Sequence, residues 1–508
     1  MPDRYHPDRA LGALFEAVQR APLFADAKTF ADALPREAPS TLVARYEAAR
    51  HQPGFDLRAF VDTHFDLPRR VPPALLANVQ PDLASHLRTH WPALIRVDDA
   101  ALAPTSSLLP LPHPYVVPGG HLREMHYWHS YFIMLGLAAS GLMELVRGML
   151  ENFARLIDDL GFIPSATRTY HLSRSQLPFF APMVLLLAHA EGLAAARTYL
   201  PSLEREYAFW MDGETEVSAE QPAVRHVVRL PDGTLLNRYW DRLTTPRPAS
   251  FREDVARAAS LPEALRAPFY RHLRAASASG WDLSSRWLAD GITPSTIHTT
   301  DIVPVDLNVM LWILEQTLAL LSDGPAAEQF LTRSAQRAEA LVHLTWKAEA
   351  GFFHDYDFVA GTHTPTTSLA GLFPLYAGLA TPDQAQAVVQ TVAQHLLADS
   401  GFLTTTAETG LPWDAPYGWA PLQWIAIHGL RRYNYHPLAD AGQIRWLTLN
   451  ESVYLRTGQT METYDVQSLM MAPTYPPQDG YAWTNGVALA LMARRPAVAA
   501  PLADLPLP

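Results

Sequence analysis

Residues 118–132, PGGHLREMHYWHSYF, concentrate side chains that could do chemistry: three histidines, four aromatic rings and one Arg-Glu step. Together with His113 just before them, His121, His126 and His129 could indicate a metal site, because imidazole is a common metal ligand. The simpler interpretation is four unrelated histidines, and we expect no metal. An apolar-periodic helix follows directly and would hold the stretch in place.

Composition excludes several classes of function. The chain has 508 residues, 48% hydrophobic and 18% charged, which suffices for one large core or several domains. A net charge of -12 argues against a nucleic-acid partner, and the lack of cysteine excludes disulfides and thiolate metal sites. The first residues, MPDRYHPDRA, lack a signal-peptide run, and no apolar segment is long enough to span a bilayer. We therefore expect a monomer without a cofactor or a membrane partner, located in the cytoplasm, or in the periplasm if a leader was removed.

Helical spacing of apolar residues runs through most of the chain. No alternation of strands and helices indicates a parallel sheet, and RHVVRLPDGTLLNRYW reads as a β-hairpin. About a dozen helices separated by long loops favour a barrel of paired helices, with the loops at one end forming the site. We expect an all-α single domain over 1–508 with at most a small hairpin, and a helical segment 1–70 packed on it. The main predicted helices are 130–160, 177–200, 253–278, 304–323, 326–346, 366–378, 381–398, 420–432, 436–456 and 484–495.

Three long motifs in this order resemble the α,α-trehalase family of glycoside hydrolases. The first stretch resembles the pattern PGGRF-x-E-x-Y-x-WDSYF. PWDAPYGWAPLQW resembles Q-W-D-x-P-x-G-W-A-P, with Pro412 in place of the usual Gln. TYPPQDGYAWTNGV resembles the segment around the family's general base. The resemblance covers nearly the whole chain and implies an (α/α)6 barrel that acts on an α-glucosidic disaccharide such as trehalose.

The resemblance also implies the site residues. Hydrolysis with inversion needs one carboxyl group as acid and one as base, on opposite faces of the sugar. The acid corresponds to Asp282 in GWDLSSRWL, and the position assigned to the base is occupied by Thr474, which cannot act as a base near neutral pH. Tryptophans would supply apolar faces for sugar rings. The implied substrate-binding residues are His121, Trp128, His129, Ser165, Arg174, Gln176, Arg247, Trp281, Trp413 and Trp419.

Several positions depart from the family pattern while the surrounding motifs are intact. A site built to bind sugar hydroxyl groups loses affinity when such groups are removed, because their partners are left unpaired. We therefore expect ordinary trehalose hydrolysis to be weak. The departures replace Arg by His121 and His298, Asp by His129, Asn by Ser165, and Glu by Ala249, Ala278 and Thr474.

Other carboxylates within the motifs have a plainer interpretation. We expect most of them to hold loops and helix ends rather than to act in catalysis. They are Glu124, Asp414, Glu462, Asp465 and Asp479.

Three functions of different classes stay open at this point. The first is a trehalase-like hydrolase in which an unidentified group or bare water replaces the base. The second is a retooled barrel enzyme for phosphorolysis or for another, even non-sugar, ligand. In phosphorolysis the phosphate ion itself attacks the sugar, so no protein base is needed. Arg174, Arg247 and the histidines that replace family residues would donate hydrogen bonds to the phosphate. The third is a non-catalytic sugar-binding protein that keeps the old cleft.

Overall fold

α-Helices dominate the computed structural model, which describes residues 4–68, 80–97, 99, 102–468, 470–471 and 480–493. Most loops between them are short of regular structure and gather at one end. In these ranges the helices are α1 (Pro7–Leu11), α2 (Ala13–Arg20), α3 (Lys28–Ala31), α4 (Pro39–Ala49), α5 (Leu57–His64), α6 (Leu83–Leu94), α7 (Tyr127–Ala139), α8 (Met143–Leu160), α9 (Phe180–Glu191), α10 (Leu193–Arg197), α11 (Leu200–Trp210), α12 (Phe251–Ala258), α13 (Glu263–Ser279), α14 (Val305–Leu321), α15 (Pro325–Thr345), α16 (Phe373–Ala377), α17 (Pro382–Thr391), α18 (Ala420–Arg432), α19 (His436–Thr457) and α20 (Ala482–Met492).

Six of these helices form a closed inner ring. In order around the ring, α7, α9, α14, α16, α18 and α20 each contact the next, and α20 returns to α7. Their side chains are buried on nearly every face, as the unbroken run YWHSYFIMLGL of α7 shows. A helix that is apolar all round is stable only inside a core. The predicted (α/α)6 barrel is confirmed.

The outer helices have one apolar face each. In α8 the buried residues recur at helical spacing and pack against α7 and α9, which is the pattern expected of a helix that covers a core on one side. On the outside, α15 packs on α14 and α19 packs on α18. Within the described ranges, no helix has both the length and the apolarity needed to cross a bilayer.

Three predicted helices are interrupted, and those predictions are wrong at the break. One is 253–278, which divides into α12 and α13 just before and after Pro262. The helix expected over 130–160 is two helices, α7 and α8, because Gly141 has a φ of +76° that a helix cannot contain. Residues 177–200 likewise divide into α9, α10 and the start of α11. Apolar spacing continues across the breaks at 130–160 and 177–200, so periodicity does not reveal them.

Strands are more numerous than the single small hairpin expected, although none of the described strands is longer than three residues. They pair antiparallel into seven small sheets, which satisfy backbone groups of the loops between helices. The predicted hairpin is present as β6 and β7. The strands are β1 (Leu34–Pro35), β2 (Phe65–Asp66), β3 (Ile95–Arg96), β4 (Tyr115–Val116), β5 (Ala223–Val224), β6 (Val227–Arg229), β7 (Leu235–Asn237), β8 (Ile302–Val303), β9 (Trp346–Lys347), β10 (Phe352–Phe353), β11 (Tyr356–Asp357), β12 (Thr362–His363), β13 (Leu397–Ala398), β14 (Gly401–Phe402), β15 (Tyr417–Trp419), β16 (Thr463–Asp465) and β17 (Met470–Met471).

The N-terminal residues 4–68 contribute a second apolar cluster. Phe15, Phe30 and Phe65 pack there with Tyr170 and Phe251 from later in the chain. Aromatic side chains of this size bury a large area, which holds this segment against the loops that precede α9 and begin α12. The organisation of residues 1–508 as one domain, with 1–70 packed on it, stays a prediction.

Candidate active site

A cavity of about 280 Å³ lies where the loops before the inner helices meet. Its walls come from the N-terminal segment, from the loops that lead into α7, α9, α18 and α20, and from the end of α13. Most of the residues predicted to bind substrate line it. These are His121, His129, Ser165, Arg174, Gln176, Arg247, Asp282, Trp413 and Trp419.

Three predicted site residues are not part of this lining. Trp128 and Trp281 are fully buried and lie behind it, with ring centroids 5.9 Å and 5.4 Å from that of Trp413. They therefore support a lining ring instead of facing the cavity. The third residue, Thr474, lies outside the described residues, and its predicted place in the site stays a prediction.

Asp282 stands at the end of α13, where the chain turns sharply. Gly280 has a φ of +81°, and a Cβ there would lie 2.6 Å from the ring of Trp128, so only glycine fits the turn. The Asp282 carboxylate accepts a hydrogen bond from Ser277 Oγ at 2.7 Å and contacts Arg247 Nη1 at 3.5 Å. Its side chain is 52% exposed, which leaves it open to a ligand.

Arg247 is fixed before any ligand arrives. Its guanidinium donates to both oxygens of buried Asp254, at 2.9 and 2.7 Å, and also to Ser277 Oγ. Burial opposes the charged form of Arg247, but Asp254 outweighs it and raises the pKa above its usual value. A charged donor that is already oriented costs little side-chain entropy on binding.

Tryptophan rings form a stack along one wall of the cavity, which we call the tryptophan stack (Trp281, Trp413 and Trp419). The ring centroids of Trp281 and Trp413 are 5.4 Å apart. Those of Trp413 and Trp419 are 3.8 Å apart, with the rings nearly parallel at 3°. Asp282 follows Trp281 in the chain and so adjoins one end of the stack.

A second carboxylate adjoins the other end of the stack. β15 pairs with β16, which places Trp419 opposite Thr463 and brings the preceding residue, Glu462, into the cavity wall. Glu462 Oε1 accepts a hydrogen bond from Tyr481 at 3.0 Å, and its backbone carbonyl accepts one from Trp483 Nε1 at 3.0 Å. These two contacts hold Glu462 against the start of α20.

Sequence reasoning gave Glu462 a supporting role and did not place it in the cavity wall, where it lies. The signal that could have placed Glu462 there is its position in the motif METYDV, because the other carboxylate of this motif accepts hydrogen bonds from neighbouring backbone N–H groups. Asp465 accepts from the backbone N–H groups of Gln467 and Ser468. Asp414 does hold loops as predicted, since it accepts hydrogen bonds from Ser284, Ser285, Thr405 and Thr409. Asp479 lies outside the described residues.

Three imidazoles line the cavity on another side, and we call them the imidazole wall (His126, His129 and His171). The ring centroids of His126 and His129 are 4.9 Å apart, and those of His126 and His171 are 6.3 Å apart. His129 stacks on Trp483 at 4.1 Å and 10°. Burial, and to a smaller extent His126, lowers the pKa of His129 well below its usual value, so the ring is neutral near pH 7.

A buried ion cluster adjoins this wall, and two of its members, Lys28 and Glu124, also line the cavity. Glu124 binds Lys28 at 3.0 Å, Arg168 at 3.1 Å and His126 at 3.1 Å. Burial would raise the pKa of Glu124, but Lys28 and Arg168 outweigh it, and the pKa lies well below the usual range. Glu124 is therefore a charged partner of three groups, which fits the supporting role predicted for it.

Arg174 belongs to a second buried cluster. It binds Asp241 at 3.2 Å and donates to His171 Nδ1 at 3.0 Å. Asp241 also contacts Arg274 at 3.4 Å. Burial would raise the pKa of Asp241, but the two arginines outweigh it and the pKa is lowered. Ser165 Oγ lies 3.2 Å from the same His171 nitrogen, so Ser165, Arg174 and His171 form one corner of the cavity.

The chain is similar to known proteins along most of its length. The family model described as trehalase matches residues 22–495. Periplasmic trehalases are 47% identical over 494 residues in Xanthomonas axonopodis pv. citri (strain 306), covering 96% of this chain and 86% of the relative. In Pseudomonas aeruginosa the identity is 48% over 496 residues, covering 96% and 90%.

Solved structures agree with the fold. A neutral trehalase from Saccharomyces cerevisiae aligns with a TM-score of 0.62 at 26% identity, over 77% of this chain and 76% of its own. A mannosylglycerate hydrolase from Thermus thermophilus aligns with a TM-score of 0.52 at 19% identity, over 80% of this chain and 100% of its own. At that identity the second likeness concerns the fold alone.

Proposed function

Since this chain belongs to the trehalase family of glycoside hydrolases, we propose that it hydrolyses an α-glucosidic disaccharide, trehalose before others, with inversion at the anomeric carbon. The observation that carries the proposal is the pair Asp282 and Glu462, which adjoin opposite ends of the tryptophan stack and line the same cavity. Inverting enzymes separate their two carboxyl groups by about 6.5–9.5 Å. Two carboxylates in the lining of one cavity are the pair of groups that this mechanism needs.

In the proposed reaction each carboxyl group has one task. Asp282, protonated before the reaction, gives its proton to the glycosidic oxygen as the bond from that oxygen to the anomeric carbon breaks. Glu462 removes a proton from a water molecule whose oxygen attacks the anomeric carbon from the opposite face. Trehalose then yields two glucose molecules, one of them released first as the β anomer. Proton exchange with solvent restores both carboxyl groups.

Glu462 also bears on the expected rate. The sequence predicts weak trehalose hydrolysis because Thr474 replaces a carboxylate and because His129 and Ala249 replace sugar-binding groups. If Glu462 is the base, the threonine at position 474 no longer means that a base is missing. The changes at His129 and Ala249 remain, and on these binding positions we propose that turnover of trehalose is reduced.

The described charges favour water over phosphate as the nucleophile. Arg174 and Arg247 are both occupied by buried carboxylates, Asp241 and Asp254, and His129 is neutral near pH 7. Phosphorolysis would need free positive charge beside the attacked carbon. In a purely binding protein both carboxylates would accept hydrogen bonds from sugar hydroxyl groups, and no glucose would be released.

The test is glucose release from trehalose by the wild type, Asp282→Asn, Glu462→Gln and the control Asp323→Asn. Asp323 is 84% exposed and does not line the cavity. We expect both cavity variants to lose about 10²–10⁴ in kcat and the control to match the wild type. Activity retained in Asp282→Asn would contradict the proposal. A parallel reaction with inorganic phosphate that yields glucose 1-phosphate would replace hydrolysis by phosphorolysis.

We also propose a periplasmic location, because the relatives from Xanthomonas and Pseudomonas are named periplasmic trehalases. Cell fractionation with activity assays of each fraction tests it, and activity confined to the cytoplasm would contradict it. The monomeric state stays a prediction, which size-exclusion chromatography with light scattering would test.

A further inference from the structure

The imidazole wall has fixed proton positions on two of its rings. A guanidinium only donates, so His171 Nδ1 accepts the bond from Arg174 and the ring proton is on Nε2. Ionised Glu124 only accepts, so His126 donates through Nε2 at 3.1 Å and its Nδ1 is an acceptor. Both assignments follow from the hydrogen-bond network.

His129, the third ring, has a nitrogen that no described residue satisfies. Its side chain is 7% exposed, it lines the cavity, and its Nδ1 is buried with no hydrogen bond among the described residues. Stacking on Trp483 at 4.1 Å prevents the ring from turning away without loss of contact. A buried polar atom without a partner is unfavourable, so a ligand group in the cavity is the natural partner for it.

The hydrogen-bonding capacity of this wall differs from that of a carboxylate. A neutral imidazole has one donor and one acceptor, whereas a carboxylate accepts from two neighbouring hydroxyl groups at once. Burial lowers the pKa of both His129 and His171 well below the usual value. The wall therefore binds hydroxyl groups singly. Ala249, elsewhere in the cavity lining, offers a methyl group and no polar contact.

Building on the proposed function, we infer that His129 determines sugar specificity: the cavity takes α-linked disaccharides in which a ring hydroxyl near the imidazole wall is missing or inverted. A site that pairs with two hydroxyl groups rejects an analogue that lacks one, because buried polar atoms are left unpaired. A wall that binds each hydroxyl group by a single hydrogen bond discriminates less strongly against such an analogue. The substrate class is therefore trehalose-like sugars modified at one ring position.

The experiment measures kcat/KM for trehalose and for its 2,2′-, 3,3′-, 4,4′- and 6,6′-dideoxy analogues. Because each analogue lacks the same hydroxyl group in both rings, the change is present in whichever ring binds next to the wall. For the wild type we expect at least one analogue within about tenfold of trehalose. In His129→Asp the ratio of trehalose to that analogue should rise by about 10² or more, while His129→Asn, with one donor and one acceptor face, should keep the wild-type ratio.

Two further variants keep the test decisive if His129→Asp does not fold. His129→Leu removes the contact. The kcat/KM of the analogue that lacks the contacted hydroxyl should therefore not fall further in this variant. The other analogues should keep the loss of kcat/KM relative to trehalose that they show with the wild type. His189→Leu, at the exposed end of α9, is the matched control. If all four analogues show the same ratios in wild type, Asp and Leu variants, the inference is overturned.

Failure of the proposed function would look different. Asp282→Asn should lower kcat by about 10²–10⁴ for every sugar in the panel. If the wild type hydrolyses none of them, the proposed reaction is wrong, and calorimetric dissociation constants for the same sugars and variants then test the specificity of the wall alone. Unchanged dissociation-constant ratios in the His129 variants would overturn the inference on that measurement as well.

Discussion

The tryptophan stack and the imidazole wall border one cavity but hold their polar groups in different ways. Each carboxylate beside the stack has a hydroxyl donor, Ser277 for Asp282 and Tyr481 for Glu462. On the wall, His129 is buried with a nitrogen that is unpaired among the described residues. Under the proposed function, the chemistry and the recognition of the sugar are separable in this barrel: the carboxylates beside the stack would cleave the bond, and the imidazole wall would bind hydroxyl groups.

The largest effect should come from the stack side. Glu462→Gln keeps the size and the Tyr481 contact but removes the base, so we expect kcat to fall by about 10²–10⁴ with KM within a few-fold. Proton NMR of the early products tests inversion: from trehalose the wild type should release β-glucose from the attacked ring and α-glucose from the leaving ring. Release of α-glucose alone would show that the reaction is not inverting and would contradict the roles proposed for the two carboxylates.

The next largest effect is expected for a variant of Arg286, a buried residue that packs against the tryptophan stack. Arg286 is fully buried, bonds Asp306 and Asp355 at 2.6–2.9 Å, and lies over the rings of Trp281 and Trp287. Arg286→Met leaves two buried carboxylates unpaired, and we expect a loss of about 3–5 kcal/mol in the free energy of unfolding. Arg197→Met, half-exposed and paired with Asp323 at 3.3 Å, should change it by less than about 1 kcal/mol.

Sequence reasoning recovered the ring of helices because the inner helices are apolar on all faces, as in α7 and α20. Through motif order it also placed Asp282 and most of the predicted binding residues at one site. It did not place Glu462 in the cavity wall, because that position depends on the pairing of β16 with β15. It assigned Trp128 and Trp281 to the cavity because a sequence does not show which layer of an aromatic cluster a ring occupies.

A smaller effect concerns histidines elsewhere in the barrel. Burial lowers the pKa of His226 to about 3 and of His428 to about 3. Their folded pKa lies below the unfolded value of about 6.5, so the unfolded chain binds more protons as the pH falls below that value, and stability declines. Between about pH 6.5 and 5 we expect a loss of about 2 kcal/mol for each residue.

Denaturant unfolding at about pH 7 and about pH 5 measures this decline. His428→Asn should be less stable at neutral pH, because it loses the contacts with Trp424, and should have a shallower pH dependence than the wild type. Equal slopes for the two proteins would show that His428 does not titrate in this range.

The smallest effect separates the two sides of the cavity most sharply. Ala249 lines the cavity next to the short turn of Pro248–Ser250, two residues from Arg247, at a position where the resembling family has Glu. Ala249→Glu adds an acceptor on the arginine side without touching the wall. A charged hydrogen bond contributes about 1.5–3 kcal/mol at best, and ordering a flexible side chain offsets part of it, so kcat/KM for trehalose should rise by about tenfold. We expect the new carboxylate to bind a hydroxyl group on the Arg247 side, so the ratios for the dideoxy analogues should change for a different hydroxyl than in His129→Asp. If Ala249→Glu shifts the ratio of the same analogue as His129→Asp, the two sides bind one hydroxyl jointly, and specificity does not belong to the wall alone.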